Sequence, residues 1–448
     1  IDAGDLIFST ASKGVVLGAT SNTDAGIMVQ SGSVDLSGSA FYHDVDVVAK
    51  TNPNGGRWSV AKSVGHDVGA VTPLQFVTTV KTDTVKGYQL DRGFQVLLSA
   101  YPAAQKYLDY EQLNLQELKA GACIFKNNKA QLFGDPSRDA SLLLPSIMSG
   151  VAKPLDLLKI AKLTFRLKNK SLSSIFQEKE ESTLEMLQKL GFSNQLIKEF
   201  FKPFFSGIFL ENELSTSSRM FNFVFKMFAE GNAFIPKGGI EAIPLQLKEK
   251  LQQTSFRFHT SVKTVNKKGI LLENGEVLNS DYTLIATDAK QLIEPTKGEQ
   301  LKWKSCQTLY FTSSNRIIEQ SFIGLISQPD CFINNLFYHS SIETAERKEE
   351  ELLSVTVVRK HQLSQQALIQ KVKDELKLLC GIENLQFLYL YDIKNALPNL
   401  QNLQYSPSKD NCKPKQGVYV AGDHTANSSL NAAILSGEQA AFTLLEDL

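Results

Sequence analysis

Nowhere in its 448 residues does this chain hold 18 consecutive apolar residues, and no basic stretch followed by an apolar core opens it. Neither a membrane-spanning helix nor a signal peptide is therefore expected. Net charge is missing too: 47 Lys and Arg balance 47 Asp and Glu, which leaves no overall field to steer nucleic acid or anionic lipid. The six histidines (His43, His66, His259, His339, His361, His424) show no HxxxH or HExxH spacing, so no metal site is expected. No GxSxG occurs either. The five cysteines (Cys123, Cys306, Cys331, Cys380, Cys412) are odd in number and scattered, with no CxxC pair. That pattern predicts reduced thiols in a cytoplasmic protein. What remains is ordinary for a globular chain of two to three domains: 42% hydrophobic and 21% charged residues.

The most specific signal lies near the C-terminus. Gly417-Val418-Tyr419-Val420-Ala421-Gly422-Asp423-His424 reads as a buried strand running into a tight acidic turn. Gly422 can take a backbone conformation closed to other residues. Asn431 to Leu445 is then small or apolar at helical spacing. A strand, turn and helix in this order aim backbone N–H groups and a helix N-terminus at an anionic or electron-rich group.

The run resembles the C-terminal flavin-contacting motif of the amine oxidase and phytoene desaturase superfamily of FAD enzymes. The resemblance spans about residue 80 to the C-terminus. Lys81-Thr82-Asp83, Gly87-Tyr88 and Leu90-Asp91-Arg92-Gly93-Phe94-Gln95-Val96 look like the segment that follows the superfamily's dinucleotide fingerprint. Phe204-Phe205-Ser206-Gly207-Ile208-Phe209 with Thr216-Ser217-Ser218-Arg219 is similar to a substrate-domain signature. Ile235-Pro236-Lys237-Gly238-Gly239-Ile240 matches a PxGG turn, Val262-Lys263-Thr264-Val265 a strand at the adenine end, and Ala396-Leu397-Pro398 a tripeptide before the closing motif. The resemblance implies an α/β fold in which an FAD-binding, Rossmann-like sheet is interleaved with an α+β substrate domain. Residues 80–130, 235–295 and 393–448 would form the cofactor domain, and 131–234 and 296–392 the substrate domain. It further implies Gly93 and Phe94 close to the flavin, Val262 at the adenine end, Gly422 and Asp423 by the ribityl-phosphate, and Leu430, Asn431 and Ala432 at the pyrimidine edge. No catalytic residue is assigned, because the superfamily's frequent active-site lysine has no obvious counterpart.

The N-terminal fingerprint is absent. A dinucleotide-binding unit begins with a strand, then GxGxxG at the mouth of a helix. Gly14-Val15-Val16-Leu17-Gly18 has the wrong spacing, and Asn54-Gly55-Gly56-Arg57 lies too far before Asp91, so both read as chance matches. Residues 1–79 contain no Glu and hold roughly a third of the chain's 28 glycines, a shift that marks a boundary near residue 80. Strand-like alternation at 26–30, 32–36 and 44–48 predicts a β-rich or irregular segment that replaces the first βαβ unit. Losing three charge-assisted bonds to a pyrophosphate would weaken FAD binding by roughly 4 to 9 kcal/mol.

Helical periodicity dominates 155–228, and a further helix is expected around 365–379. Three ambiguities stay open. The apolar stretch 142–163, broken by Pro145 and Pro154, fits packed core helices or a greasy entrance that touches a membrane. The 27 phenylalanines, dense between 200 and 234, fit a helical core or an aromatic-lined pocket. Arg219 fits a structural bond to helix-end carbonyls or a place in the pocket, the first being favoured. Two functions compete. One is a flavin-dependent oxidoreductase removing hydride from an apolar or amine-bearing small molecule, and the other a non-catalytic chimeric or decayed relative unable to hold FAD.

Overall fold

The computed structural model describes residues 80–447, apart from 127, 137, 267, 268, 290, 291, 294–300 and 347, together with four strands ahead of them. Those four are Leu6–Thr10, Gly14–Gly18, Met28–Gln30 and Ser33–Asp35.

Two sheets organise the chain. The smaller has the strand order Leu6–Thr10, Gly14–Gly18, Thr283–Ile285, Val418–Val420. Its last three strands run parallel, and Leu6–Thr10 forms an antiparallel edge. Side chains alternate across a strand, and the buried residues here obey that rule. Ile285, Val418 and Val420 pack with Val262, Val265, Ile270 and Leu272 of the small antiparallel sheet Val262–Asn266, Gly269–Leu272 and Val277–Asn279. Leu284, Tyr419 and Ala421 face the other way, into a cluster with Ile434, Ala440 and Leu444 of the C-terminal helix Leu430–Glu446 and Ile243 and Leu247 of Ala242–Glu249. The pair Thr283–Ile285 and Val418–Val420 is thus covered on both faces, as parallel strands require.

The N-terminal segment gives a result that the spacing argument did not anticipate. Gly14–Gly18 fails as a fingerprint but serves as a parallel strand beside Thr283–Ile285. The alternating stretches at 26–30 and 32–36 form a hairpin, Met28–Gln30 with Ser33–Asp35. The stretch at 44–48 and the Gly55-Gly56-Arg57 echo lie outside the described residues.

The larger sheet has seven strands, ordered Lys129–Gly134, Gly121–Lys126, Ile323–Ile326, Ile333–Tyr338, Glu351–Val357, Trp303–Ser313 and Gln386–Pro398. It is antiparallel except where Ile323–Ile326 meets Gly121–Lys126. Leu368 and Val372 of the helix Gln365–Glu375 pack against one face, on Leu309, Phe311, Leu353 and Val355. A helical block from residue 143 to residue 230 includes the helices Leu143–Met148, Pro154–Lys168, Thr183–Lys189, Lys202–Phe209 and Ser218–Glu230. Serines start several of these: Ser182 with Glu185 closes a reciprocal capping box, and Ser193 and Ser217 accept from N–H groups of their first turns. Among the described residues no helix is long and apolar enough to cross a membrane.

Candidate functional site

The hairpin Thr82–Val85/Tyr88–Asp91 turns at Lys86-Gly87, both with positive φ, the geometry of a two-residue hairpin turn. Its end is locked to the PxGG turn. Thr82 Oγ1 donates to Asp91 Oδ1 at 2.6 Å and accepts from the Glu241 N–H at 3.1 Å, while the Ile240 N–H donates to Asp91 Oδ1 at 3.0 Å. Gly239 sits at φ +80°, and a Cβ there would lie 2.3 Å from Thr82 Oγ1, so only glycine allows the lock to close. Asp91 is fully enclosed, and burial pushes its carboxyl up to about 6 against the two hydrogen bonds. Beside it, Asp83 is held below the usual carboxylate range. Burial raises it, but the fork from Arg92 Nε and Nη2 at 2.8 and 3.1 Å and the Tyr391 hydroxyl at 2.7 Å prevail.

This lock delivers Gly93 and Phe94. Gly93 has φ +98°, and an added Cβ would stand 3.2 Å from Ile393 Cδ1. Phe94 lies against Phe337 with ring centroids 5.0 Å apart. Both line a cavity of about 1290 Å³. Across that cavity, its wall includes Ser429 and Leu430, where the C-terminal helix begins. Ser429 caps that helix by accepting from Ala432 N at 3.0 Å, and the N–H groups of Leu430 and Asn431 precede the first intrahelical bond. Asn431 Oδ1 accepts from the Ala103 N–H at 3.0 Å, which ties the helix start to Pro102–Tyr107.

The remaining expected residues lie outside the cavity wall. Gly422 follows the Val418–Val420 strand at φ +134°, its N–H donating to Ser436 Oγ at 2.7 Å. Asp423 opens a short 3-10 turn, and burial pushes its carboxyl up to about 6 with only local backbone N–H groups opposing. Gly422, Asp423, Asn431 and Ala432 do not line the cavity. Val262 is buried among Val418, Val420 and Ile285 on the sheet face turned away from the C-terminal helix.

The phenylalanines resolve into both expected roles. Phe221 and Phe223 are core, Phe201, Phe205 and Phe209 are fully buried yet reach the cavity, and the less buried Phe200, Phe204, Phe225 and Phe228 complete its wall. Arg219 is structural: its Nε donates to the Glu178 carbonyl at 2.7 Å, and Nη1 reaches the Leu403 carbonyl at 3.4 Å. One residue escaped the sequence altogether. Lys304, at the start of the Trp303–Ser313 strand, lines the cavity and donates from Nζ to the Phe209 carbonyl at 2.9 Å and to Thr216 Oγ1 at 3.0 Å. Burial holds its ammonium below the usual lysine range, with Glu211 opposing. Its setting, Lys302-Trp303-Lys304-Ser305-Cys306-Gln307, carries no local signal that separates it from a solvated lysine.

A family model described as flavin containing amine oxidoreductase matches residues 77–445. The chain belongs to this family. FAD is the family's cofactor. No curated protein matches the sequence significantly. An oxidoreductase from Methanosarcina mazei is similar in fold at TM-score 0.60 and 14% identity, over 83% of this chain and 92% of that one. Putrescine oxidase bound to putrescine gives 0.61 and 12%, over 83% and 92%. Reduced UDP-galactopyranose mutase gives 0.56 and 12%, over 83% and 88%. At these identities the likeness speaks for the fold. Two features of the cavity wall fit a flat, electron-rich group such as a flavin: at Gly93 an added Cβ would stand 3.2 Å from Ile393 Cδ1, and the first N–H groups of the Leu430–Glu446 helix precede its intrahelical bonds.

Proposed function

We propose that this flavin oxidoreductase removes a hydride from a C–H bond of an apolar small molecule held in the 1290 Å³ cavity. Bound FAD would supply the hydride acceptor. Gly93 and Phe94 would approach the flavin, with Leu430, Asn431 and Ala432 at its pyrimidine edge, Gly422 and Asp423 by the ribityl-phosphate, and Val262 toward the adenine end. Lys304 would hold or move a proton at Nζ, a role suited to an amine whose charged form is disfavoured by burial. The aromatic wall would orient the substrate and exclude water. We also propose the division into a cofactor lobe, 80–130, 235–295 and 393–448, and a substrate lobe, 131–234 and 296–392. The parallel sheet and its covering helices support the first, and the helical block the second.

The observation that carries the choice of substrate is the charge of the cavity wall. Arg92, Lys119, Arg138, Lys168 and Lys304 line it against three carboxylates, Asp135, Glu180 and Glu181. Of these, Glu180 faces Arg219 at 3.8 Å and Glu181 accepts from Lys189, while Arg92 is paired with Asp83, Lys119 faces Asp139 at 3.7 Å, and burial disfavours the charged form of Lys304. The wall thus offers no surplus of carboxylate to hold a protonated amine in an apolar space, which favours a neutral lipophilic substrate over an amine. Anaerobic titration of the purified holoprotein tests this. Neutral polyenes or hydroaromatic compounds should bleach the flavin absorbance, and diamines should not. Bleaching by diamines alone would overturn it.

The missing N-terminal fingerprint favours the second reading, a non-catalytic relative that does not hold FAD. That reading requires a colourless purified protein and thermal melts that coincide with and without excess FAD.

A further inference from the structure

We infer that Thr356 sets the specificity of the cavity: its hydroxyl, on the sheet floor, binds the oxygen of a neutral lipophilic molecule that carries one carbonyl or hydroxyl group. The strand Glu351–Val357 shows why this residue stands out. Val355 and Val357 turn to the apolar cluster shared with the helix Gln365–Glu375, and alternation along the strand sends Thr356 to the opposite face. There it lines the cavity, although it is only 4% exposed. Among the described residues its Oγ1 is fully enclosed and has no hydrogen-bond partner. A valine of the same shape would spare that unpaired group, so the hydroxyl costs stability within the fold and gains a partner only from something that enters the cavity. A single χ1 step between staggered wells exchanges it with the methyl and turns it to the cavity.

Its neighbours across the sheet are polar as well. Thr356 pairs with Thr308 on one side and with Asn335 on the other, and directly paired residues share a face. Thr308 Oγ1 is likewise enclosed without a partner, but Thr308 does not line the cavity. Asn335 does, and its amide is fixed: Nδ2 donates to Asn334 Oδ1 at 2.8 Å, and Asn334 Nδ2 donates to the Pro203 carbonyl at 3.1 Å. The helix Lys202–Phe209 closes over this pair at Gly207, where a Cβ would stand 2.5 Å from Asn334 Oδ1 and 2.8 Å from Asn335 Nδ2. The same helix contributes Phe205, Ile208 and Phe209 to the cavity wall. One hydroxyl with one amide beside it, facing a wall of that kind, suits a single oxygen on a lipophilic molecule. A hydrocarbon leaves the hydroxyl unpaired whereas an oxygen pairs it, and this asymmetry is what lets a buried polar group discriminate.

The polar row also lies near the residues proposed to approach the flavin. Two positions along the same strands, Ser354 pairs with Phe337, whose ring packs on Phe94 at a centroid distance of 5.0 Å. Two residues of strand span roughly 7 Å. An oxygen held by Thr356 thus anchors the molecule within reach of the Phe94 end of the cavity. That the molecule so held is the substrate rests on the oxidoreductase reading, whereas its binding does not.

The test is equilibrium dialysis of the purified full chain against 9-fluorenone and fluorene, two rigid neutral probes that differ in one carbonyl oxygen. Wild-type protein is expected to bind fluorenone about tenfold more tightly than fluorene, the effect of one hydrogen bond. Thr356→Val should abolish that preference by weakening fluorenone alone, and should raise the thermal midpoint because an unpaired buried hydroxyl is gone. Thr356→Ser, which keeps the hydroxyl, should keep the preference, and so should Thr308→Val, which alters the hydroxyl that does not line the cavity. The inference is overturned if wild-type protein binds the two probes equally or binds neither, if Thr356→Val retains the preference, or if Thr308→Val loses it. It is overturned equally if Thr356→Val lowers the midpoint or fails to fold, since the hydroxyl would then have a structural partner. Dialysis needs neither bound flavin nor turnover, so its failure is distinct from failure of the oxidoreductase reading.

Discussion

Replacing Asp91 by Asn removes one ionisation from the centre of the lock between the hairpin and the PxGG turn while keeping its shape. Both hydrogen bonds in that lock, from Thr82 Oγ1 and from the Ile240 N–H, end on Oδ1, which Asn retains. Burial raises the Asp91 pKa from 3.8 to about 6 in the folded chain. A raised folded pKa means that the fold favours the protonated carboxyl. The associated stability is fully present below pH 3.8 and is lost as pH rises through 6. At 1.36 kcal/mol for each pKa unit, the loss across this window is about 3 kcal/mol. Part of the window lies below the pH at which the chain is convenient to study, and roughly 1.4 kcal/mol falls between pH 5 and 8.

Asn cannot ionise, so Asp91→Asn should become progressively more stable than wild type over that interval. Its amide group replaces Oδ2 without an assigned acceptor, which adds a constant penalty of about 1 to 2 kcal/mol that does not change with pH. The readout is therefore the slope of the difference. Urea unfolding curves at several pH values, followed by circular dichroism, supply it. Asp423 titrates in the same range and contributes equally to both proteins, so it cancels. A difference that stays flat from pH 5 to 8, or that grows in favour of Asp, would refute the burial argument and imply that a cation stabilises the Asp91 carboxylate.

Gly239→Ala should destabilise the chain by about 3 kcal/mol, because it combines φ +80° with a Cβ 2.3 Å from Thr82 Oγ1; a thermal midpoint equal to wild type would show that the turn relaxes freely. Ser429→Ala removes the cap from the C-terminal helix and should reduce stability by about 1 kcal/mol while lowering flavin content, both readable from a melt and a visible spectrum of the same sample. Lys304→Met should leave flavin content unchanged but slow anaerobic flavin reduction about a hundredfold and flatten its pH profile, and an unaltered rate would remove Lys304 from the chemistry.

What the sequence revealed follows the range of the forces involved. The closing motif was legible because a strand, a glycine at φ +134° and a capped helix are consecutive, and each leaves a local mark in residue type. The lock around Asp91 was only half legible. Leu90-Asp91-Arg92-Gly93 and Pro236-Lys237-Gly238-Gly239 stood out as motifs, yet their contact joins residues 149 positions apart, and no local pattern encodes it. Lys304 was invisible for the same reason, since its partners lie 95 and 88 positions away. Gly14–Gly18 shows the opposite case. Judged by fingerprint spacing it was a chance match, but its apolar, β-branched run suits a strand paired on both sides, and sheet pairing depends on that run rather than on the spacing of its glycines.

The helices at 143–168 show why periodicity can locate an element without saying what covers it. Leu157, Ile160 and Thr164 turn to the cavity, Leu163 and Leu167 to the core, and Leu155, Leu158 and Phe165 outward. A helix with large apolar residues on several faces is read from sequence as buried, because burial is the commonest way to remove such a surface from water. The Phe200–Phe228 cluster poses the same problem from inside, where core and pocket wall are built from one residue type and differ only in whether protein or a ligand fills the adjoining space. For both, the deciding quantity is the shape of the space next to the side chains. Phe165 belongs to the outward face and to the cavity alike, 73% exposed and yet part of the cavity wall.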